Sequence, residues 1–134
     1  MKKKIISGWL VLFWVSVALL LGCALIPMKP LSKDDISDLK GRWEGDRYGA
    51  SYTHRTEIEI FDENLRGKIT FYGTASGTVD YLFYCKIENG KLVCIRSKDQ
   101  WVRLSFHKAD VKMELKGDYQ WMQWGGTMSL RKVR

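Results

Sequence analysis

The chain has 134 residues, 46% of them hydrophobic, with 22 Lys and Arg against 15 Asp and Glu for a net charge of +7. That apolar fraction excludes a disordered tail, and the length allows one core rather than two. Three cysteines are too few for a disulfide-dense miniprotein.

The first element is a leader. Met1-Lys2-Lys3-Lys4 is basic, and Ile5 to Leu21 is apolar apart from Ser7, Gly8 and Ser16. A positive start, an apolar stretch and then small residues form the layout of a secretory signal. The stretch ends in Leu20-Leu21-Gly22-Cys23, which resembles the lipobox of bacterial lipoproteins. That resemblance implies that residues 1–22 are removed as a signal peptide. Cys23 then becomes the lipidated first residue, anchored in membrane lipid. Ala24 after the cysteine, in place of Asp, implies sorting to the outer membrane in a host with two membranes. The alternative is an uncleaved anchor: Ile5 to Ile26 is 22 residues long, and roughly 20 apolar residues cross a bilayer. In either case the three lysines stay cytoplasmic and the remainder is exported. Without Lys2, Lys3 and Lys4 the 22 basic residues fall to 19 against 15 acidic, a net of +4. So dispersed a surplus argues against a nucleic-acid partner.

Residues 23–38 form the next unit. Ala24 to Leu31 carries the only two prolines, Pro27 and Pro30, and reads as a short stiff tether. Ser32, with Asp35 three residues on, predicts a helix start. The turn runs to Leu39 and stops before Gly41.

Residues 39–134 form the last unit, and from Gly41 onward the hydrophobic period is two. Ile58 and Ile60 alternate with Glu57 and Glu59; Val102, Leu104 and Phe106 alternate with Trp101, Arg103, Ser105 and His107. Such alternation with short connections predicts an antiparallel sheet with one buried face. Eight strands are expected near 41–49, 53–62, 66–74, 78–88, 91–97, 100–107, 110–117 and 125–133. The predicted fold class is all-β, an eight-stranded antiparallel up-and-down barrel. Closure removes the sheet edges and leaves an interior wide enough for side chains or one small ligand.

The two remaining cysteines flank Asn89-Gly90, a dipeptide that favours a type I′ hairpin turn because that turn needs positive φ twice. With these as the two loop residues, Cys85 faces Cys94 at a non-hydrogen-bonded pair, the closer kind, and the spacing suits a disulfide. Two free buried thiols or a metal pair are the alternatives. One face of this hairpin carries Phe83, Cys85, Ile87, Leu92 and Cys94; the other carries Leu82, Tyr84, Val93 and Ile95. A two-residue loop at Lys98-Asp99 pairs Ile95 with Val102 and turns the second face inward, whereas a bulge reverses this. Either way, large apolar side chains remain outside, as on a contact surface.

Leu39-Lys40-Gly41-Arg42-Trp43-Glu44-Gly45 resembles the Gly-x-Trp opening of lipocalins and related calycin barrels, and avidin-like barrels share a similar start. The resemblance implies that Trp43 closes the base of the barrel. It also implies that a basic residue of the last strand packs across Trp43, with Arg131 the first candidate and Lys132 the second. The ending Gly126 to Arg131 is similar to the last strand of small bacterial lipocalin-like domains.

Tyr119, Trp121 and Trp124 are placed in the segment joining the last two strands, with Trp101 as a possible extension of the same surface. Rings at a barrel mouth stack on sugars or apolar ligands; the alternative is that they plug one end. His54 and His107 accompany no nucleophile motif, which argues against a His-dependent triad and against an enzyme. The Gly-rich stretch 72–78 joins two strands and precedes no helix, so it is a hairpin loop rather than a phosphate loop. No cofactor and no metal site is predicted. The expected function is that of a lipid-anchored protein of the bacterial cell envelope. It would hold a small apolar or amphipathic ligand through Trp43, Trp101, Tyr119, Trp121 and Trp124. The alternative is an envelope interaction protein without a pocket, an assembly factor or an inhibitor of a secreted enzyme in the manner of lysozyme-inhibitor lipoproteins.

Overall fold

The computed structural model describes residues 25–133. The leader and Cys23 lie outside the described residues. Among these residues no helix is long and apolar enough to cross a membrane. Eight antiparallel strands follow one another around a closed barrel: β1 (Gly41–Tyr48), β2 (Thr53–Ile60), β3 (Arg66–Thr74), β4 (Gly77–Glu88), β5 (Lys91–Ser97), β6 (Gln100–Ala109), β7 (Lys112–Trp121) and β8 (Trp124–Lys132). β8 returns to β1, with Gly45 opposite Leu130.

The largest departure from the expected strands is in β7, which runs to Trp121 instead of ending at 117. All ten of its residues pair with β6, from Gln100 opposite Trp121 to Ala109 opposite Lys112. Tyr119 and Trp121 therefore belong to a strand, and Trp124 opens β8. Only Met122 and Gln123 form the connection.

The inward phase of the alternation builds the core. Trp43, Ile58, Ile69, Phe83, Leu104, Phe106, Leu115 and Leu130 are all buried. Bending the strands tightly enough to close needs small residues at close approaches. A Cβ on Gly45 would sit 1.9 Å from the Ser129 carbonyl oxygen, and one on Gly117 would sit 2.0 Å from that of Arg103.

The β4–β5 hairpin has the register expected from Asn89-Gly90: both residues have positive φ, 51° and 74°, and Cys85 pairs with Cys94. The two are joined by a disulfide with Cα atoms 3.9 Å apart. Lys98-Asp99 is a two-residue turn, with Ser97 opposite Gln100, but the register shifts between Ile95 and Ser97. This bulge puts Leu92 opposite Leu104 and Cys94 opposite Val102. Phe83, Cys85, Leu92 and Cys94 consequently face the core, while Leu82, Tyr84 and Ile95 face outward at 70, 72 and 42% exposure.

One end of the barrel is stoppered. After a 3-10 turn at Lys33–Asp35, the short helix α1 (Ile36–Leu39) sets Leu39 against Trp43, both without exposed surface. The Trp43 indole N–H donates to the Leu39 carbonyl at 2.9 Å. Asp35 starts this segment by accepting the Ser32 backbone N–H at 2.9 Å and the Lys29 ammonium at 2.6 Å. Residues 27–31, expected as a tether, instead lie on the barrel. β6 continues past the start of β5, and Lys29 N–H donates to the carbonyl of Phe106 while Lys108 N–H donates to that of Pro27. An overhanging strand edge with unpaired backbone groups offers such a docking line.

The basic residue across Trp43 is Lys132, whose Nζ stands 5.4 Å from the ring centroid and donates to the carbonyls of Asp38 and Lys40. Arg131 is exposed and sits opposite Glu44. The alternation decides this: Met128 and Leu130 are buried in the core, so Lys132 shares their inward phase and Arg131 does not.

Candidate functional site

The opposite end is open. Here the β1–β2, β3–β4 and β7–β8 connections surround a cavity of about 420 Å³. Phe71, Val79 and Tyr81 form one wall, and Tyr119, Trp121, Met122 and Trp124 another. Tyr52 and His54 stand beside them, and residues 73–76 supply part of the rim. The rings brace one another. Trp121 meets Phe71 edge-on at 5.0 Å and Tyr81 at 5.1 Å, Tyr52 stacks on His54 at 5.5 Å, and Trp124 stands edge-on to Tyr52 at 6.0 Å. Such offset and edge contacts suit the aromatic quadrupole and hold the walls in place.

Two polar features mark the interior. Arg47 is 6% exposed and lines the cavity. One terminal nitrogen, Nη1, donates to the Arg55 carbonyl at 2.7 Å and to Thr56 Oγ1 at 2.9 Å; Nη2 donates to the Tyr72 carbonyl at 2.6 Å. Its guanidinium lies 4.9 Å from the Phe71 ring centroid. Burial pushes its pKa down, opposed by the nearby Tyr119 and Tyr52. The second feature is a hydroxyl–hydroxyl hydrogen bond between Tyr52 and Tyr119. It links the β1–β2 connection to β7 across β8.

Tyr119 is buried. Desolvation first, then the hydrogen bond with Tyr52, pushes its pKa above the ordinary tyrosine value. Above about pH 10 the unfolded chain releases this proton while the folded chain keeps it, so this group makes stability fall as pH rises. Tyr119→Phe is expected to remove that slope in urea denaturation from about pH 9 to 11; identical pH dependence in wild type and variant would refute the assignment.

Of the five rings expected at a ligand site, the structure brings together Tyr119, Trp121 and Trp124. Trp43 lies under the core at the stoppered end. Trp101 stands on the outer wall, with the Arg103 guanidinium 5.2 Å from its ring centroid. Arg47, Tyr52, His54, Phe71 and Tyr81 were not among the expected residues. A signal did exist for Arg47, since it shares the inward phase of Trp43 four residues earlier. Among the described residues no cluster of three or more His, Cys, Asp or Glu side chains is placed to hold a metal ion. No family model, curated protein or solved structure matches this chain.

Proposed function

We propose that the protein is a non-enzymatic binding protein of the bacterial cell envelope, lipid-anchored through Cys23, whose barrel takes up a small apolar or amphipathic ligand at its open end. One observation carries this reading: an aromatic-walled cavity of about 420 Å³ occupies one end while Trp43, Leu39 and α1 fill the other. The volume exceeds the roughly 300 Å³ at which ligand pockets begin. The lipocalin-like order of Gly-x-Trp, eight strands and a basic residue over the Trp agrees with such a role. So does the lipobox-like Leu20-Leu21-Gly22-Cys23.

A second reading is favoured by the outer wall. Tyr84 and Ile95 are cross-strand neighbours and, with Leu82, leave apolar surface exposed, which suits a protein partner in the envelope. Native mass spectrometry of the protein purified from its own host separates the two. A bound small molecule that leaves on unfolding is the expected result. A stoichiometric protein partner and a barrel that stays empty when offered apolar amphiphiles would overturn the ligand reading.

A further inference from the structure

We propose that the ligand is a monoanionic amphiphile, a carboxylate on an alkyl chain, whose acidic head goes in first and is received by Arg47 at the cavity floor. The inference rests on the reading of the cavity as a ligand site and narrows its chemistry.

Arg47 is the only charged side chain among the described residues that line the cavity, and no carboxylate of the described residues lies within 4.0 Å of it. A buried cation without a counter-ion is costly, because carbonyl dipoles and an aromatic face repay only part of the lost hydration. A guanidinium has five N–H donors. Three are taken by Arg55, Thr56 and Tyr72, which leaves the Nε–H and one Nη2–H. A site with surplus donors and one surplus positive charge calls for an acceptor with one negative charge. A dianionic head would leave its second charge buried without a partner, so a single carboxylate is the better match.

Depth fixes the orientation. Arg47 is the last inward residue of β1, and below it the barrel is filled by Ile58, Leu130 and Trp43. Between Arg47 and the opening at Met122 and Trp124 the lining is mainly aromatic, its polar groups being the mutually hydrogen-bonded Tyr52 and Tyr119 hydroxyls, His54 and the rim. A ligand meeting Arg47 must therefore run its tail outward along Trp121 and Tyr81 to the mouth.

The test uses the full chain in phosphatidylcholine nanodiscs and two photoprobes with the same medium-length alkyl tail and a diazirine near its end. One probe ends in a carboxylate and the other in an alcohol. Free probe is measured by dialysis, and labelled peptides are mapped by mass spectrometry. In the wild type, the carboxylate probe should saturate labelling of residues 73–76 and 122–124 at about ten-fold lower free concentration than the alcohol, the scale of one charge-assisted contact. Arg47→Met should erase that difference while the alcohol probe still labels the same peptides, which also shows that the variant is folded. Equal saturation by both probes in the wild type, or a preference that survives Arg47→Met, would overturn the anion inference and leave the ligand cavity standing. Labelling of these peptides by neither probe would overturn both.

Discussion

Replacing Trp43 by alanine is expected to cost about 3–5 kcal/mol of stability, the range for deleting a large buried aromatic side chain. The indole has no exposed surface, and the loss has three physical parts. The first is its contact area, including an edge-on approach to Phe106 at 6.3 Å. The second is the hydrogen bond to Leu39, whose carbonyl would be left without its donor in the core. The third is the ring face under Lys132. Burial already pushes the Lys132 pKa down, so its ammonium depends on that face and on the carbonyls of Asp38 and Lys40. Guanidinium denaturation of wild type and Trp43→Ala measures the cost; a loss below about 1 kcal/mol, the level of an average substitution, would mean that this end is not the stopper of the barrel. The position also separates stability from binding. Trp43 and the aromatic cavity are at opposite ends, so under native conditions the variant should retain labelling at residues 122–124.

The reason so much of the barrel was legible is that each strand carries its own record. Alternation from Gly41 onward marks the strands, and Asn89-Gly90 fixes one register so firmly that the Cys85–Cys94 pairing follows by counting. What escaped depends on relations between strands. The bulge at Arg96 reverses the faces of the hairpin, and neither Lys98 nor Asp99 announces it. Choosing Lys132 over Arg131 requires the phase of β8, which Met128 and Leu130 set once they are known to face inward. Tyr119 and Trp121 looked like connection because aromatics and glycines crowd residues 117–126; their long partner β6 makes them strand. Tyr52 and Tyr119 are 67 positions apart, and Arg47 reaches the Tyr72 carbonyl 25 positions away. Only closure of β8 onto β1 brings such residues to one cavity. The site was therefore legible as a set of rings near the end of the chain, while the charge at its floor was marked only by the inward phase that Arg47 shares with Trp43.

Removing the Cys85–Cys94 disulfide is expected to cost about 2–3 kcal/mol on the chain-entropy model for a short closed loop. The sequence separation is 9, so the crosslink restricts little of the unfolded chain, and the gain sits near the lower part of the usual range. Both cysteines are in the core, at 9 and 2% exposure, and the backbone around them is held independently. Cys85 N–H donates to the Leu65 carbonyl in the β2–β3 connection, and the hairpin register is set by the turn. The Cys85→Ala/Cys94→Ala double variant should therefore fold to the same barrel with a melting temperature lower by roughly 8–24 °C, at about 4–8 °C per kcal/mol for a small domain. The single variants supply the decisive comparison. Once either cysteine is gone the crosslink is gone, so Cys85→Ala alone should cost nearly as much as both changes together, a strongly non-additive cycle. Additive single effects, or a wild-type midpoint unmoved by reductant under denaturing equilibrium, would show that the bridge contributes packing and no constraint. Because the pair lies on β4 and β5 toward the stoppered end, the loss should appear in global unfolding and leave the carboxylate preference at Arg47 unchanged.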